Sequence, residues 1–529
     1  MAEIEVSIRP AQGETLLSTA LTGEDGRFEF RDLPPGKYAL NARGRGYLIQ
    51  AYQEHQNYST AIVTGPGLQS ENLTFSLKPD ASISGTVSDE FSEPVAQAQV
   101  LLFVTGVPGM PETIFQRGQV ATDDAGHYRF SHLGEGKYYV VVSARPWYAR
   151  TVASAQRFIA SASQGAATEV VVGDSPTPEG ASAANPESGE RSPELNVAYQ
   201  TTYYPNVTNP EEATPLLLKP GDRMSTDFQL FAVPALRLRF RGAPPDRKNP
   251  VPVPILVERI FGQSRQVGAA GIDSDGTAEF TSLAPGRYVL QLPAEENGTP
   301  QERPVDLVAD TEVAPGKDTE LVSTVSGIVI LEGVGPSDSK GYVRLMNLRS
   351  GAGFGAAVSS KGEFKIDGGV RPARYNLTVF NVSDYIVKSI SGVGAKVVGH
   401  QVEVPRVASV RLTIVLTKGL GQIDGIALRD GKPMSQTAIF LVPDDPGHNL
   451  PLFRRDQSDS DGTFTLRQVL PGQYTLISIA DGWELEWTDP AVLKPYLATG
   501  LKVRVEAERK YQLKVDVQQR GANAVARSK

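Results

Sequence analysis

Five histidines and two Asp-Ser-Asp-Gly segments are the residues of this 529-residue chain whose types could hold a metal ion. His127 and His132 flank one alternating apolar stretch, five positions apart, so on a strand they point to opposite faces and make no metal pair. They read as a turn residue and a rim residue. His448 follows Asp-Asp-Pro-Gly in a polar loop, with no other histidine near it in sequence. The segments at 273–276 and 459–462 open like a calcium-binding loop. That frame needs an acid or Asn at 271 and 457 and a closing Glu at 282 and 468, but Gly271, Gln457, Ser282 and Gln468 stand there. The frame fails, and Asp-Gly reads as a hairpin turn. The chain has no cysteine, which removes disulfides, thiolate nucleophiles and cysteine zinc sites. No nucleophile elbow, His-Glu-x-x-His or phosphate loop occurs. The expectation is no catalytic residues, no metal, no cofactor and no enzyme.

Aromatic residues form the one suggestive pattern. Tyr47, Trp147 and Trp483 each follow a Gly or Pro, nine residues after a recurrent tyrosine. Tyr148 adjoins the second of these, Tyr203-Tyr204 lies further on, and Trp487 follows the third. Loop-end rings can stack on sugars while polar neighbours bond hydroxyls. The candidate carbohydrate contacts are therefore Trp147, Tyr148, Tyr204, Trp483 and Trp487; the other reading is that these rings cap the end of a sandwich.

The recurrent tyrosine belongs to a cassette that must position everything else. It occurs as DGRFEFRDLPPGKYAL (25–40), AGHYRFSHLGEGKYYV (125–140), DGTAEFTSLAPGRYVL (275–290), KGEFKIDGGVRPARYNL (361–377) and DGTFTLRQVLPGQYTL (461–476). Gly26/Tyr38, Gly126/Tyr138, Gly276/Tyr288 and Gly462/Tyr474 keep one spacing, and Gly362/Tyr375 carries one insertion. The first turn wants Gly at positive φ, and alternation such as Phe28/Phe30 or Phe464/Leu466 puts one strand face into a core. Pro35-Gly36, Pro285-Gly286 and Pro471-Gly472 suit a type II turn with Gly at positive φ. Pro372-Ala373 loses that Gly, so the fourth turn is expected to be built differently. The tyrosine then opens a second strand and enters the core, its hydroxyl bonded near the rim.

Each cassette sits in a shared frame. Upstream lie a strand such as AQVLLFV (98–104) and, before it, ISGTV (83–87), VSGIV (325–329) or IDGIA (423–427); LRLRF (236–240) lacks the glycine. Downstream comes a closing strand such as LTFSL (73–77) or VRLTIVL (410–416). Six to seven short strands per ~90 residues make antiparallel sandwiches; DPAVLKPYL (489–497) holds at most a helical turn. The expected units are 1–79, lacking the ISG-type strand; 80–234, with a disordered insertion at about 160–196; a divergent 235–320; 321–417; 418–517; and a flexible tail, 518–529. The first unit's missing strand is expected from sequence ahead of Met1, which would also carry an export signal; the alternative is that a partner supplies it.

The frame SISGTVSDEFSEPVAQAQVLLF (82–103) with DDAGHYRFSHLGEGKYYVVVSA (123–144), echoed in the fifth unit by GLGQIDGIALRDGKPMSQTAIFLVP and SDSDGTFTLRQVLPGQYTLISI, resembles the carboxypeptidase regulatory-like domain. That is a transthyretin-like (prealbumin-like) sandwich close to bacterial Cna-B modules. The resemblance implies an all-β fold, a tandem array of about five Ig-like or prealbumin-like antiparallel β-sandwiches, in an extracytoplasmic setting and without catalysis. Cna-B modules can form Lys–Asn crosslinks, but no Lys recurs here at a core-facing position.

The net charge of −8 shows no basic stripe, which argues against nucleic acid. No apolar run reaches the ~18–20 residues that span a bilayer. The expected protein is a monomeric rod outside a bacterial cytoplasm (extracellular, periplasmic or cell-surface) that serves as scaffold or adhesin, with polysaccharide or a cell-surface protein as partner. The alternative is a carbohydrate-binding protein.

Overall fold

Each cassette opens with the same hydrogen-bonded hairpin. In the second, Gly126 N–H donates to Asp123 O at 3.0 Å and Asp123 N–H to His127 O at 3.0 Å. The same pair of bonds recurs around Gly26, Gly276, Gly362 and Gly462, and all five glycines have φ between 73° and 86°. This is a three-residue loop whose last residue is left-handed, which glycine adopts without strain. The computed structural model describes residues 1–13, 15–68, 71–105, 113–149, 196–242, 254–269, 273, 275–292, 301–314, 320–321, 323–336, 341–347, 353–382, 385–406 and 409–521. Most of the 160–196 insertion lies outside the described residues.

The second turn differs from the type II expectation. Gly36, Gly286 and Gly472 are not at positive φ; the left-handed residues are Asp32, His132, Ser282 and Gln468. Where the opening strand is present, the second, third and fifth of these cassettes shift register at that point, between Phe130 and Leu133, Phe280 and Leu283, and Leu466 and Val469. The bulge lets Leu133, Leu283 and Val469 stay in the core. The following glycine simply starts the next strand, beside the tyrosine ring. A Cβ on Gly36, Gly136, Gly286 or Gly472 would sit 3.2–3.6 Å from that ring or its hydroxyl. Ala373 occupies the same place in the fourth repeat, and Tyr375 keeps the shared hydroxyl bond, so this side of the turn is not rebuilt.

The five motif tyrosines are buried, and each hydroxyl donates to the carbonyl four residues upstream. Tyr38 bonds Pro34 at 2.8 Å, Tyr138 Gly134 at 3.1 Å, Tyr288 Ala284 at 2.7 Å, Tyr375 Arg371 at 2.8 Å and Tyr474 Leu470 at 2.9 Å. The bond ties the strand to the turn that precedes it. Tyr375→Phe should cost about 1 kcal/mol, read as a shift in urea midpoint at unchanged m.

The described strands form discrete sheets arranged as a series of β-sandwich units. In the second repeat, Ala81–Ser88 pairs antiparallel with His127–Leu133, while Gln99–Thr105 pairs with Phe115–Ala121 and Gly136–Ser143 in the facing sheet. The fourth and fifth repeats match: Ser323–Leu331 with Glu363–Val370, and Gly421–Arg429 with Thr463–Val469. The sheets are not purely antiparallel. The closing strand runs parallel to the opening one, as Ser409–Thr417 does beside Ser323–Leu331 and Lys510–Gln518 beside Gly421–Arg429. The chain crosses to the other sheet between them and re-enters from the same end. Each cassette has its own cluster of buried side chains, and the fifth repeat carries a second one around Trp483.

The helical turn expected near 489–497 is an α-helix, Pro490–Leu497, capped by Asp489, whose carboxylate accepts from Ala491 N–H at 2.9 Å. The start of the expected tail is tied down instead of free. Gln518 ends a strand, Arg520 pairs with Glu484 at 2.5 Å, and Gly521 N–H donates to Tyr496 at 3.1 Å.

The expected rod is corrected at its ends, which meet. Consecutive repeats touch: Asp80 N–H donates to Gly46 O at 3.0 Å, and Phe261 packs on Phe103, Tyr139 and Tyr203. Buried Glu302 accepts from Arg259 and Arg371 at 2.9 Å, and Gln401 donates to Gly447 O at 2.9 Å. The first repeat then packs on the fifth, so the array closes on itself.

Candidate functional site

The expected carbohydrate contacts fall into two places. At one end of the second repeat Trp147 is 81% exposed, its ring edge-on to Tyr148 with centroids 5.7 Å apart. The turn after strand Gly136–Ser143 puts them there, and the loop after Ala81–Ser88 supplies an acid beside them. Tyr148 OH donates to Glu90 Oε1 at 2.5 Å, and Tyr199 OH reaches Glu90 Oε2 at 3.5 Å. Buried Asp89 holds this loop by accepting from Phe91 and Glu93 N–H. Burial, then the bond to Glu90, pushes Tyr148 up to about 12; burial and Tyr148 raise Tyr199 further. Both phenols stay protonated donors at neutral pH. An open indole face beside phenol and carboxylate can stack on a sugar ring and bond its hydroxyls. Tyr204 does not join them. It packs on the sandwich core, edge-on to Phe228.

Trp483 and Trp487 lie elsewhere, at the joint between the fifth and first repeats. Trp483 is 6% exposed, its ring stacked with His55 (5.5 Å, 13°) and Tyr58 (5.8 Å, 26°) from the first repeat. Its N–H donates to Gln436 O at 3.2 Å. Trp487 packs on Phe453, with the Arg455 guanidinium 4.2 Å above its ring. The Trp483 ring is covered by protein and packs on another repeat, whereas Trp487 is partly buried within its own.

Polar groups surround this aromatic contact. Lys37 Nζ lies 2.5 Å from Asp459 Oδ2 and 2.7 Å from Thr463 Oγ1. Ala61 N–H donates to Asp459 Oδ1 at 3.0 Å, Ser460 N–H to Ala61 O at 3.0 Å, and Val63 N–H to Ser460 Oγ at 2.9 Å. Buried Gln457 donates to Gln53 O and Thr60 Oγ1 at 2.7 Å, and Arg455 donates to Gln56 at 2.9 Å. The Asp-Ser-Asp-Gly turn at 459–462 is thus a docking edge. No group of three or more His, Asp or Glu that could hold a metal occurs among the described residues. His127 pairs with Asp123, and His132 with Asp80.

Asp456 sits just inside the joint, accepting from Thr465 N–H at 2.7 Å. Burial pushes its carboxyl from 3.8 up to about 6, against the bonds from Thr465 and Gln457. Below pH 3.8 the carboxyl is neutral folded or unfolded and costs nothing. The ionisation cost grows between 3.8 and 6 and is complete above 6, reaching about 2–3 kcal/mol. Asp456→Asn should remove this loss of stability with rising pH, measured by urea unfolding at pH 4.5 and 7.5; an unchanged pH slope in the variant contradicts the assignment.

Nothing in the sequence marks Lys37, His55, Tyr58, Arg455 or Gln457 as a residue that docks one repeat on another. Lys37 and Asp459 are 422 residues apart, and no short-range pattern joins them.

Residues 82–172 match the family model for the carboxypeptidase regulatory-like domain. Colossin-A of Dictyostelium discoideum is 28% identical over 171 residues, which cover 28% of this chain and 2% of Colossin-A. The chain thus spans a small fraction of the length of the curated relative that it matches. Among solved structures, the Bacillus anthracis TIE protein aligns over 78% of this chain and 68% of its own, with 11% identity and a TM-score of 0.16. A Streptococcal ancillary pilin aligns over 54% and 99%, with 9% identity and a TM-score of 0.20. GBS52, a minor pilin of Streptococcus agalactiae, aligns over 39% and 100%, with 10% identity and the same score. Scores this low carry nothing about what the chain does. Within the second repeat, residues 82–172 are thus similar to the carboxypeptidase regulatory-like domain.

Proposed function

We propose that the chain is a non-catalytic scaffold or adhesion-type protein of five carboxypeptidase regulatory-like modules, working outside the cytoplasm as a monomer. The observation that carries this reading is where its polar and aromatic side chains go. Motif tyrosines tie strands to turns, buried Glu302 bridges two arginines across a joint, and Trp483, Gln457 and Asp459 hold the fifth module to the first. A chain closed on itself presents its loops at fixed separations, which suits display or adhesion to a cell-surface protein or polysaccharide. Protease shaving of intact source cells tests the setting: release of fragments of this chain is expected, and full protection until lysis contradicts it.

A second reading, carbohydrate binding, is favoured at one place by exposed Trp147 beside Tyr148 and Glu90. On a glycan array the full chain should bind a polysaccharide class, and Trp147→Ala should lower that binding about tenfold or more. Binding that survives Trp147→Ala rules out this site.

A further inference from the structure

The end of the second repeat that carries Trp147 offers more than one open ring. Three chain segments meet there. The loop after Ala81–Ser88 brings Asp89, Glu90 and Phe91; the turn after Gly136–Ser143 brings Trp147 and Tyr148; and Phe228–Gln229, parallel to Val87–Ser88, leads to Phe231. The Tyr148 hydroxyl on Glu90 ties the first two together. Leu230 N–H donates to Ser88 O at 2.8 Å and Gln229 Nε2 to Asp89 O at 3.4 Å, which ties in the third. Phe91 is 73% exposed, Phe231 60% and Trp147 81%. Open apolar rings gathered at one end mark a surface that a partner covers.

The charge at this end has one sign. Buried Asp89 accepts from the main-chain N–H groups of Phe91 and Glu93 at 2.9 and 2.8 Å, and half-buried Glu90 accepts from the neutral phenols of Tyr148 and Tyr199. The ion pairs around this repeat lie elsewhere, at Lys78–Glu135, His127–Asp123 and Asp80 with His132 and Arg223. Among the described residues Asp89, Glu90 and Glu93 have no basic partner, and Arg145, exposed on the Trp147 turn, pairs with none of them. Beyond burial, Glu90 and Asp89 both raise the Tyr148 phenol, so their charge reaches the aromatic end. The phenol protons are turned to Glu90, which leaves carboxylate and phenol oxygens to meet a ligand. Those atoms accept, so they call for a donor. An ammonium brings three N–H donors and a charge, and it gains from aromatic faces as well. An acetamido group brings one N–H and no charge. We propose that this end binds a polysaccharide of amino sugars whose amines are free and protonated, with Trp147 stacked on a sugar ring and Glu90, backed by Asp89, taking the ammonium. The flat apolar face of a pyranose suits the open indole, and the repeated rings of a polymer suit Phe91 and Phe231. This rests on the carbohydrate reading of Trp147 and names its substrate class.

The test titrates the full chain by calorimetry, at pH 5.5 and low salt, with a β-1,4-linked glucosamine hexamer, its fully N-acetylated form, cellohexaose and hexalysine. The glucosamine hexamer is expected to bind at least about tenfold more tightly than either neutral sugar, and to weaken as salt rises. Trp147→Ala should lower that binding at least about tenfold. Glu90→Gln, whose carbonyl can still accept from Tyr148, should erase the preference for the free amine. An unchanged urea midpoint reports both variants folded. Binding of the N-acetylated hexamer or cellohexaose as tight as that of the glucosamine hexamer would overturn the amino-sugar assignment and leave the carbohydrate reading standing. Equal binding of hexalysine would make the site a reader of peptide cations, and an amine preference that survives Glu90→Gln would place the charge elsewhere; either result overturns the proposal. No binding of any sugar at about 1 mM would overturn both the proposal and the reading on which it rests.

Discussion

Replacing Gly85 with valine is expected to break the second sandwich, at a cost of about 3 kcal/mol or more. Gly85 is not at positive φ, so the effect is steric. Its Cβ would stand 1.9 Å from Thr226 O and 2.6 Å from Thr226 C, both main-chain atoms. Thr226 cannot retreat easily. Its N–H donates to Ser84 O at 2.8 Å, and its carbonyl accepts from the buried Tyr128 hydroxyl at 2.6 Å. Parting the two strands would open Ile83, Val87 and Phe228, all at most 2% exposed, to water. Gly118, on a strand of the facing sheet with open space around it, provides the control: Gly118→Ala should change stability by no more than about 0.5 kcal/mol. Urea unfolding, read by hydrogen exchange at 81–88, measures both. A Gly85→Val protein as stable as its parent would refute the parallel pairing.

Trp483→Ala is expected to release the first module from the fifth, with a loss of about 3–5 kcal/mol of combined packing and docking energy. The ring is 6% exposed between the fifth module's own apolar cluster and the stacked His55 and Tyr58. Truncation leaves a cavity at the joint, and separation of the first module lets water fill it. The radius of gyration from small-angle scattering should rise, because the array then opens. Charge reversal separates docking from folding. Asp459→Lys should open the array by setting two cations together, and Lys37→Asp added to it should restore closure, since the pair is only 34% and 14% exposed at its side chains. An Asp459→Lys protein whose scattering matches the parent would mean that the joint does not hold the ends together.

The cassette was legible because its chemistry is local. The left-handed Gly126, the alternation of Tyr128 and Phe130, and Tyr138 twelve residues on from Gly126 all answer to bonds within about fifteen residues. The second turn was misread because Pro-Gly has two uses. Type II geometry needs the glycine's φ, whereas here Gly36 and Gly286 only make room beside a ring. Residues 27–33 and 73–77 carry no sheet pairing, so the strands expected at Phe28/Phe30 and at LTFSL (73–77) were overread: alternation records a face, and pairing depends on a neighbour. Trp147 and Trp483 look alike in sequence, each nine residues past a motif tyrosine. One is open and the other is closed by residues more than 400 positions away, a distinction that only the tertiary arrangement makes.

Closure of the array is tested most directly by zero-length carbodiimide coupling on the full chain, followed by peptide mass spectrometry. Lys37 and Asp459, 2.5 Å apart, should give an amide that links peptides from the two ends of the chain, together with the intramodule Lys388–Glu332 link as a positive control. Recovery of the Lys388–Glu332 link without any Lys37–Asp459 link in the monomer would contradict the closed arrangement.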